Sequence, residues 1–152
     1  MTRVRITKEV RFEMAHALMG YKGPCKFIHG HSYVLSVSVM GVPNPGHGDP
    51  QSGMIMDFSS LKQIMETEII QHFDHALLIW EGSPLKDLSL PGNEFGNVMF
   101  TSYQPTCENI LLDMVERIAR LLPLTVKLQT VILHETATSR SEWHAEDNAG
   151  TS

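Results

Sequence analysis

Two stretches near the start of the chain alternate apolar and polar positions with period two. Across residues 4–12, Val4 and Ile6 alternate with Arg3, Arg5 and Thr7, and the pattern continues through Val10 and Phe12. Successive side chains of a strand point to opposite faces, so this stretch predicts a half-buried β-strand. Across residues 33–40, Tyr33, Leu35, Val37 and Val39 share one face and Ser36 and Ser38 the other, a β-branched and aromatic alternation that predicts a second strand. Residues 126–135 begin in the same way and then turn apolar on both faces at Val131, Ile132 and Leu133. That pattern predicts a strand covered on one side and docked on the other. Residues 141–145 predict a short fourth strand.

Two segments carry helical period instead. Ser60-Leu61-Lys62-Gln63 has the form of a capping box, and Leu61, Ile64, Met65 and Ile69 then recur on one face, which predicts a helix over residues 59–73. A second helix opens at Pro105-Thr106-Cys107-Glu108, with Thr106 as cap and Glu108 at the positive end of the helix dipole. Its stripe is Leu111, Met114, Val115, Ile118 and Leu122, and Pro123 closes it. The order ββααββ predicts an α+β fold, an antiparallel four-stranded sheet with two helices on one face. The bare face and the two sheet edges then need a cover, for which a second copy of the chain is the economical choice. Residues 43–53 and 81–103 are expected as loops, and nothing marks a linker, so residues 1–152 are expected to form one domain.

Composition narrows the function. With 12 Lys+Arg against 17 Asp+Glu the net charge is −5, and no cationic cluster offers a footprint for nucleic acid or an anionic membrane. Cys25 and Cys107 are too few for a disulfide framework, and no apolar run of about 20 residues occurs, so a reduced, cytoplasmic protein is expected. The chain holds eight histidines, and those in or beside predicted elements are where chemistry is sought.

The densest constellation is Cys25-Lys26-Phe27-Ile28-His29-Gly30-His31. Histidines two apart project to the same side of a strand, and His16 reaches the same end of the sheet if the first two strands form a hairpin. Three imidazoles with an open fourth position suit a catalytic zinc, whereas His-Gly-His is also an ordinary polar strand entry. Cys25 is either a fourth ligand or a thiolate base beside the metal. In Asp74-His75 the carboxylate could support the imidazole, but adjacent side chains rarely face each other, so no direct pair is expected. Glu135, ending an apolar strand, needs donors, which either a cationic side chain or the amide and amino hydrogens of a pterin or guanine edge would supply.

In order along the chain, Phe12-x-x-Ala15-His16, Cys25-x-x-x-His29-Gly30-His31, Met56-Asp57-Phe58, Asp74-His75, Pro105-Thr106-x-Glu108-Asn109 and His134-Glu135-Thr136 resemble the 6-pyruvoyltetrahydropterin synthase superfamily. The resemblance spans roughly residues 4–145, and six ordered motifs are more specific than any one of them. It implies the tunnelling fold, or T-fold, in trimers or hexamers with the active site at a subunit interface. The three residues between Cys25 and His29 resemble the bacterial 6-carboxytetrahydropterin synthases of queuosine and deazapurine biosynthesis, the pyruvoyl branch having a longer spacer. Under this resemblance His16, His29 and His31 hold zinc, Cys25 abstracts a proton, His75 with Asp74 relays it, and Glu135 anchors the pterin. Thr106 and Glu108 become candidates for substrate binding.

The implied substrate is dihydroneopterin triphosphate, and the products are 6-carboxytetrahydropterin, triphosphate and acetaldehyde. Lys22, Lys26 and Arg140 are candidates by position for the triphosphate. Phe73 and Ile79 depart from the family pattern of Leu before, and Asn after, the Asp-His pair. The alternatives are a pyruvoyl synthase that eliminates triphosphate and a noncatalytic zinc- or pterin-binding module of the same fold.

Overall fold

The structure is a computed structural model that describes residues 1–87 and 96–149. Strands β1 (Val4–His16) and β2 (His29–Gly41) form a long antiparallel hairpin, in register from Val4 opposite Gly41 to His16 opposite His29. Because the strand period is two, one face of this hairpin carries Val10, Phe12, Met14 and His16 beside Leu35, Tyr33, His31 and His29. The apolar members of that set are buried, while Arg5, Thr7, Glu9 and Arg11 on the opposite face are exposed. One face of the hairpin is therefore core along most of its length and imidazole at its closed end.

Helix α1 (Phe58–Met65) runs on through a π-helical turn (Glu66–Ile70) into a last short turn, α2 (Gln71–Phe73). Its cap is Asp57, whose carboxylate accepts from the Ser59 amide at 2.6 Å. The predicted box at Ser60 is displaced, since a carboxylate one turn earlier meets the free amides at the positive helix end. Leu61, Met65, Ile69 and Phe73 are fully buried at strict four-residue spacing. In an α-helix that spacing drifts by about 40° per step. The wider π turn rotates less per residue, so it returns the stripe toward the sheet.

The sheet departs from the expected four antiparallel strands. It is mixed and has six strands among the described residues, in the order β4-β3-β1-β2-β5-β6. Strand β3 (Ala76–Trp80) lies parallel to β1, and β4 (Asn97–Thr101) lies parallel to β3. The run Ala-Leu-Leu-Ile-Trp of β3 is covered on both faces, so it shows no alternation that a reading by period would register. Part of the expected loop over residues 81–103 is thus the edge strand β4, and residues 88–95 lie outside the described residues.

Helix α3 (Cys107–Leu121) has the expected cap, the Thr106 hydroxyl accepting from the Asn109 amide at 3.3 Å. It is followed by β5 (Val126–His134), antiparallel to β2, and by β6 (Arg140–His144), antiparallel to β5. Both helical segments pack on the apolar face of the sheet, where Ile110, Met114 and Ile118 join Tyr33, Leu35 and Val37 in the core. No described helix is long and apolar enough to cross a membrane.

Candidate metal centre

The closed end of the hairpin gathers the three histidines that the spacing singled out. His16 and His29 are cross-strand partners and His31 is two residues further along the same face, which brings their ring centroids within 4.6, 4.9 and 5.3 Å of one another. One nitrogen from each lies within 4.8 Å of the others. His16 is buried and the other two are half-buried.

The hydrogen bonds decide which nitrogens face inward. His16 Nδ1 lies 2.7 Å from the Pro105 carbonyl and His29 Nδ1 lies 2.8 Å from the Phe27 carbonyl. A carbonyl only accepts, so in each ring Nδ1 is the donor and the lone pair is left on Nε2. The Nε2 atoms of His16 and His31 are buried without a hydrogen-bond partner. Buried polar atoms are rarely left unmatched. Imidazoles oriented by carbonyls, with unmatched Nε2 atoms converging, are the donor set a divalent first-row metal takes. The residues present fit zinc.

Glu135 is the carboxylate beside this cluster. Its Oε1 stands 3.5 Å from His16 Nε2 and 3.9 Å from His31 Nε2, and the Tyr33 hydroxyl donates to the same oxygen at 3.3 Å. Burial, with the Glu135 charge next to it, pushes the Tyr33 hydroxyl well above its ordinary range, so it stays a donor. The alternation along the second strand marks Tyr33 only as a member of its apolar face. Its position two residues beyond His31 on the same face was the signal that could have placed it at the site.

Asp74 and His75 do pair directly, contrary to expectation, with His75 Nδ1 3.0 Å from Asp74 Oδ1. The backbone explains it. His75 has φ of 58°, the left-handed region that side-chain-bearing residues seldom adopt. That turn is held by Glu13, whose carbonyl accepts from the His75 amide at 2.6 Å and whose amide donates to Asp74 Oδ1 at 2.9 Å. Local strain here buys a pairing that sequence adjacency normally forbids. His75 is mostly exposed, and it lines one groove with His31, Glu13 and Ser32.

Cys25 sits in the 3-10 turn Pro24–Lys26 between β1 and β2, a turn tied back by the Leu18 amide donating to the Cys25 carbonyl at 2.9 Å. Its thiol is free and half-buried, and it is not part of the group of converging metal-ligand atoms. The other thiol, Cys107, is pushed up by burial and donates to the Leu133 carbonyl, a structural position. Thr106 and Glu108 open α3, directly after the Pro105 carbonyl that holds His16. Lys22 and Lys26 are exposed in the segment around Cys25, while Arg140 is taken up by Glu142 on β6.

Burial holds the His16 imidazole below its ordinary value of 6.5. The unfolded chain therefore takes up a proton near that value which the folded, metal-free chain resists. The stability contributed by neutral His16 is complete above the ordinary value and is lost progressively as the pH falls from that value through the lowered folded one. The melting temperature of metal-free protein is expected to drop as the pH falls below about 6.5 and to go on falling until the lowered folded value is passed. His16→Gln, melted in parallel, should flatten that part of the curve; an unchanged slope would assign it to other groups.

Fold and site together define an α+β protein with a cluster of three histidines, placed to hold a metal ion, at the closed end of a hairpin. The family model described as 6-pyruvoyl tetrahydropterin synthase matches residues 5–146, and the chain belongs to that family. A 6-carboxy-5,6,7,8-tetrahydropterin synthase of Rickettsia bellii is 25% identical over 115 residues, covering 76% of this chain and 80% of the relative. The protein of the same name from Haemophilus influenzae is 39% identical over 74 residues, 49% of this chain and 51% of the relative. Among solved structures, a 6-pyruvoyl tetrahydropterin synthase of Plasmodium vivax superposes with a TM-score of 0.72 at 20% identity, covering 95% of this chain and 98% of that one. The last likeness bears on the fold alone, and supports the T-fold that the motif resemblance implied.

Proposed function

We propose that the protein is a zinc-dependent 6-carboxytetrahydropterin synthase, a lyase that converts dihydroneopterin triphosphate to 6-carboxytetrahydropterin, triphosphate and acetaldehyde in the queuosine and deazapurine route. The observation that carries this reading is the convergence of three imidazoles one short turn away from Cys25, at the Cys-x-x-x-His-Gly-His spacing. The names of the relatives support the carboxy branch over the pyruvoyl one.

His16, His29 and His31 would hold the zinc. When bound, it supplies Lewis acidity that makes protons on hydroxyl-bearing carbons of the substrate side chain easier to remove. Cys25, as thiolate, is the base that takes such a proton. His75, oriented by Asp74 from a fixed turn, carries protons at its Nε2, the nitrogen left free by the Nδ1 contact. Glu135 has one oxygen without a hydrogen-bond partner, Oε2, to accept from the amide and amino hydrogens of a pterin edge. Thr106 and Glu108 stand at the helix end nearest His16 and would complete the pterin pocket, with Lys22 and Lys26 at hand for the triphosphate.

The working unit is proposed as a homo-oligomer, a trimer or hexamer with the site between subunits. Strands β4 and β6 are free edges among the described residues, and the His75 imidazole is 79% exposed in the single chain. A cytoplasmic setting suits its two free thiols.

The test is anaerobic incubation of zinc-loaded protein with dihydroneopterin triphosphate, followed by mass spectrometry of the pterin and an acetaldehyde assay. A carboxylated tetrahydropterin with an equivalent of acetaldehyde is expected. A pyruvoyl product would move the protein to the other branch, and bound zinc without turnover would make it a binding module.

A further inference from the structure

The connection between β1 and β2, residues 17–28, carries Cys25. Its backbone hydrogen bonds are local: the Leu18 amide donates to the Cys25 carbonyl at 2.9 Å, the Lys26 amide to the Gly23 carbonyl at 3.3 Å and the Phe27 amide to the Pro24 carbonyl at 3.1 Å. Such bonds shape the loop without fixing where it stands against the sheet and helices. Among the described residues, one side chain from a distant segment hydrogen-bonds to residues 18–26, and it is Gln104. Its Oε1 accepts from the Met19 amide at 3.1 Å and its Nε2 donates to the Met19 carbonyl at 2.6 Å.

The two bonds together do what one alone does not. A single contact lets a peptide swing about it, whereas a side-chain amide that engages both polar groups of one residue fixes its place and its orientation. Met19 can present both groups outward because it opens a turn in which Gly20 has φ of 76°, the conformation that the third position of a type II turn requires. The far end of the tie is fixed as well. Gln104 precedes Pro105, a position that favours extended backbone. Its carbonyl accepts from the Thr106 amide at 2.8 Å and from Asn109 Nδ2 at 2.9 Å, at the start of α3. The following carbonyl, that of Pro105, is the one that orients His16. One dipeptide therefore sets an imidazole of the cluster with its backbone and the cysteine turn with its side chain.

We infer that Gln104 is the positioning residue for Cys25, keeping the thiol in register with the three histidines through Met19 and Leu18. The path is continuous, two hydrogen bonds from Gln104 to Met19, the chain itself from Met19 to Leu18, and a third hydrogen bond from Leu18 to Cys25. This rests on the reading of Cys25 as the base in the proposed function and deepens it. A misplacement of about 1 Å in a reacting group costs about 100-fold in rate. A loop released from Gln104 would thus keep the metal and lose rate, since Gln104 is not among the converging ligand atoms.

The experiment uses the full zinc-loaded chain with two variants, Gln104→Met, which keeps the bulk of the side chain and loses both hydrogen bonds, and Gln104→Glu, which keeps the acceptor alone. Zinc content is expected to stay at the wild-type level in both. The kcat should fall by about 100-fold in Gln104→Met and about 10-fold in Gln104→Glu, with KM within about twofold of wild type. In a Cys25→Ala background, Gln104→Met should cost less than about twofold more, because residues that act through one another are not additive. Amide exchange, read residue by residue by fragmentation mass spectrometry, needs no turnover. The Leu18 amide, bonded to Cys25 and not to Gln104, should exchange about tenfold faster in Gln104→Met while the β1–β2 ladder keeps its protection. A full further loss of rate in the Cys25→Ala background, or unchanged protection at Leu18, would overturn the inference. A wild type that holds zinc without turnover, with Leu18 still released in Gln104→Met, would overturn the reading of Cys25 as the base and leave its tie to Gln104 standing.

Discussion

Replacing His29 with alanine is expected to abolish metal binding and turnover together while leaving the fold in place. His29 is half-buried at the very end of β2, opposite His16 at the last pair of the hairpin, so its loss removes no core side chain. Its Nδ1 accounts for the hydrogen bond to the Phe27 carbonyl, an exposed contact worth about 1 kcal/mol. Against that small cost stands the loss of one of three converging imidazoles. Removing an outer-sphere partner alone typically costs 10–100-fold in affinity, so losing a ligand should cost at least about 100-fold. With the site unloaded, the rate is expected to fall by about a thousandfold or more. Zinc content by atomic emission, melting temperature and product formation on the same sample check all three parts. A variant that melts near wild type, retains stoichiometric zinc and still turns over would remove His29 from the centre.

Cys25→Ala is expected to separate what His29→Ala merges, retaining the metal and losing turnover. Cys25 is held in its own short turn by the Leu18 amide, a contact made by backbone and therefore kept when the side chain is shortened. Its thiol lies outside the group of converging ligand atoms, so its removal should leave zinc content unchanged. A positioned proton-transfer group contributes about 10²–10⁴-fold, and the rate is expected to fall by that amount. The substrate KM should change little, because the pterin contacts are assigned to other residues. Stoichiometric loss of zinc in this variant would make the cysteine a ligand, and undiminished turnover would remove it from the chemistry.

These expectations draw on parts of the molecule that differ in how far they were legible along the chain. The β1–β2 hairpin and both helical segments were readable because their signal is local. Alternation over a dozen residues or a four-residue stripe states which face is buried, wherever the partner comes from. The three histidines were readable for the same reason, since His29 and His31 share a face by period, and His16 joins them once the hairpin closes in register. Strands β3 and β4 were not. Each has five residues, and β3 is covered on both sides, so its apolar run carries no phase.

The pairing of Asp74 with His75 lay outside sequence reasoning for a different reason. It depends on a left-handed backbone at a non-glycine residue, and that conformation is imposed by Glu13, which is distant in the chain and close in space. The same holds for the orientation of the imidazoles. Pro105 and Phe27 act on His16 and His29 through their carbonyls, which every residue has and which leave no mark in the residue type.

By itself, then, the sequence determined an α+β chain with a two-strand hairpin, two helical stripes and a His-Gly-His entry facing a third histidine, because each follows from side-chain period and type. Only the tertiary structure decided that two parallel strands extend the sheet, that α3 delivers a carbonyl to His16, and that Glu135 with Tyr33 stands beside His16. Those features come from contacts between segments far apart in the chain, several made by backbone atoms, and their geometry exists only once the core beneath them has packed.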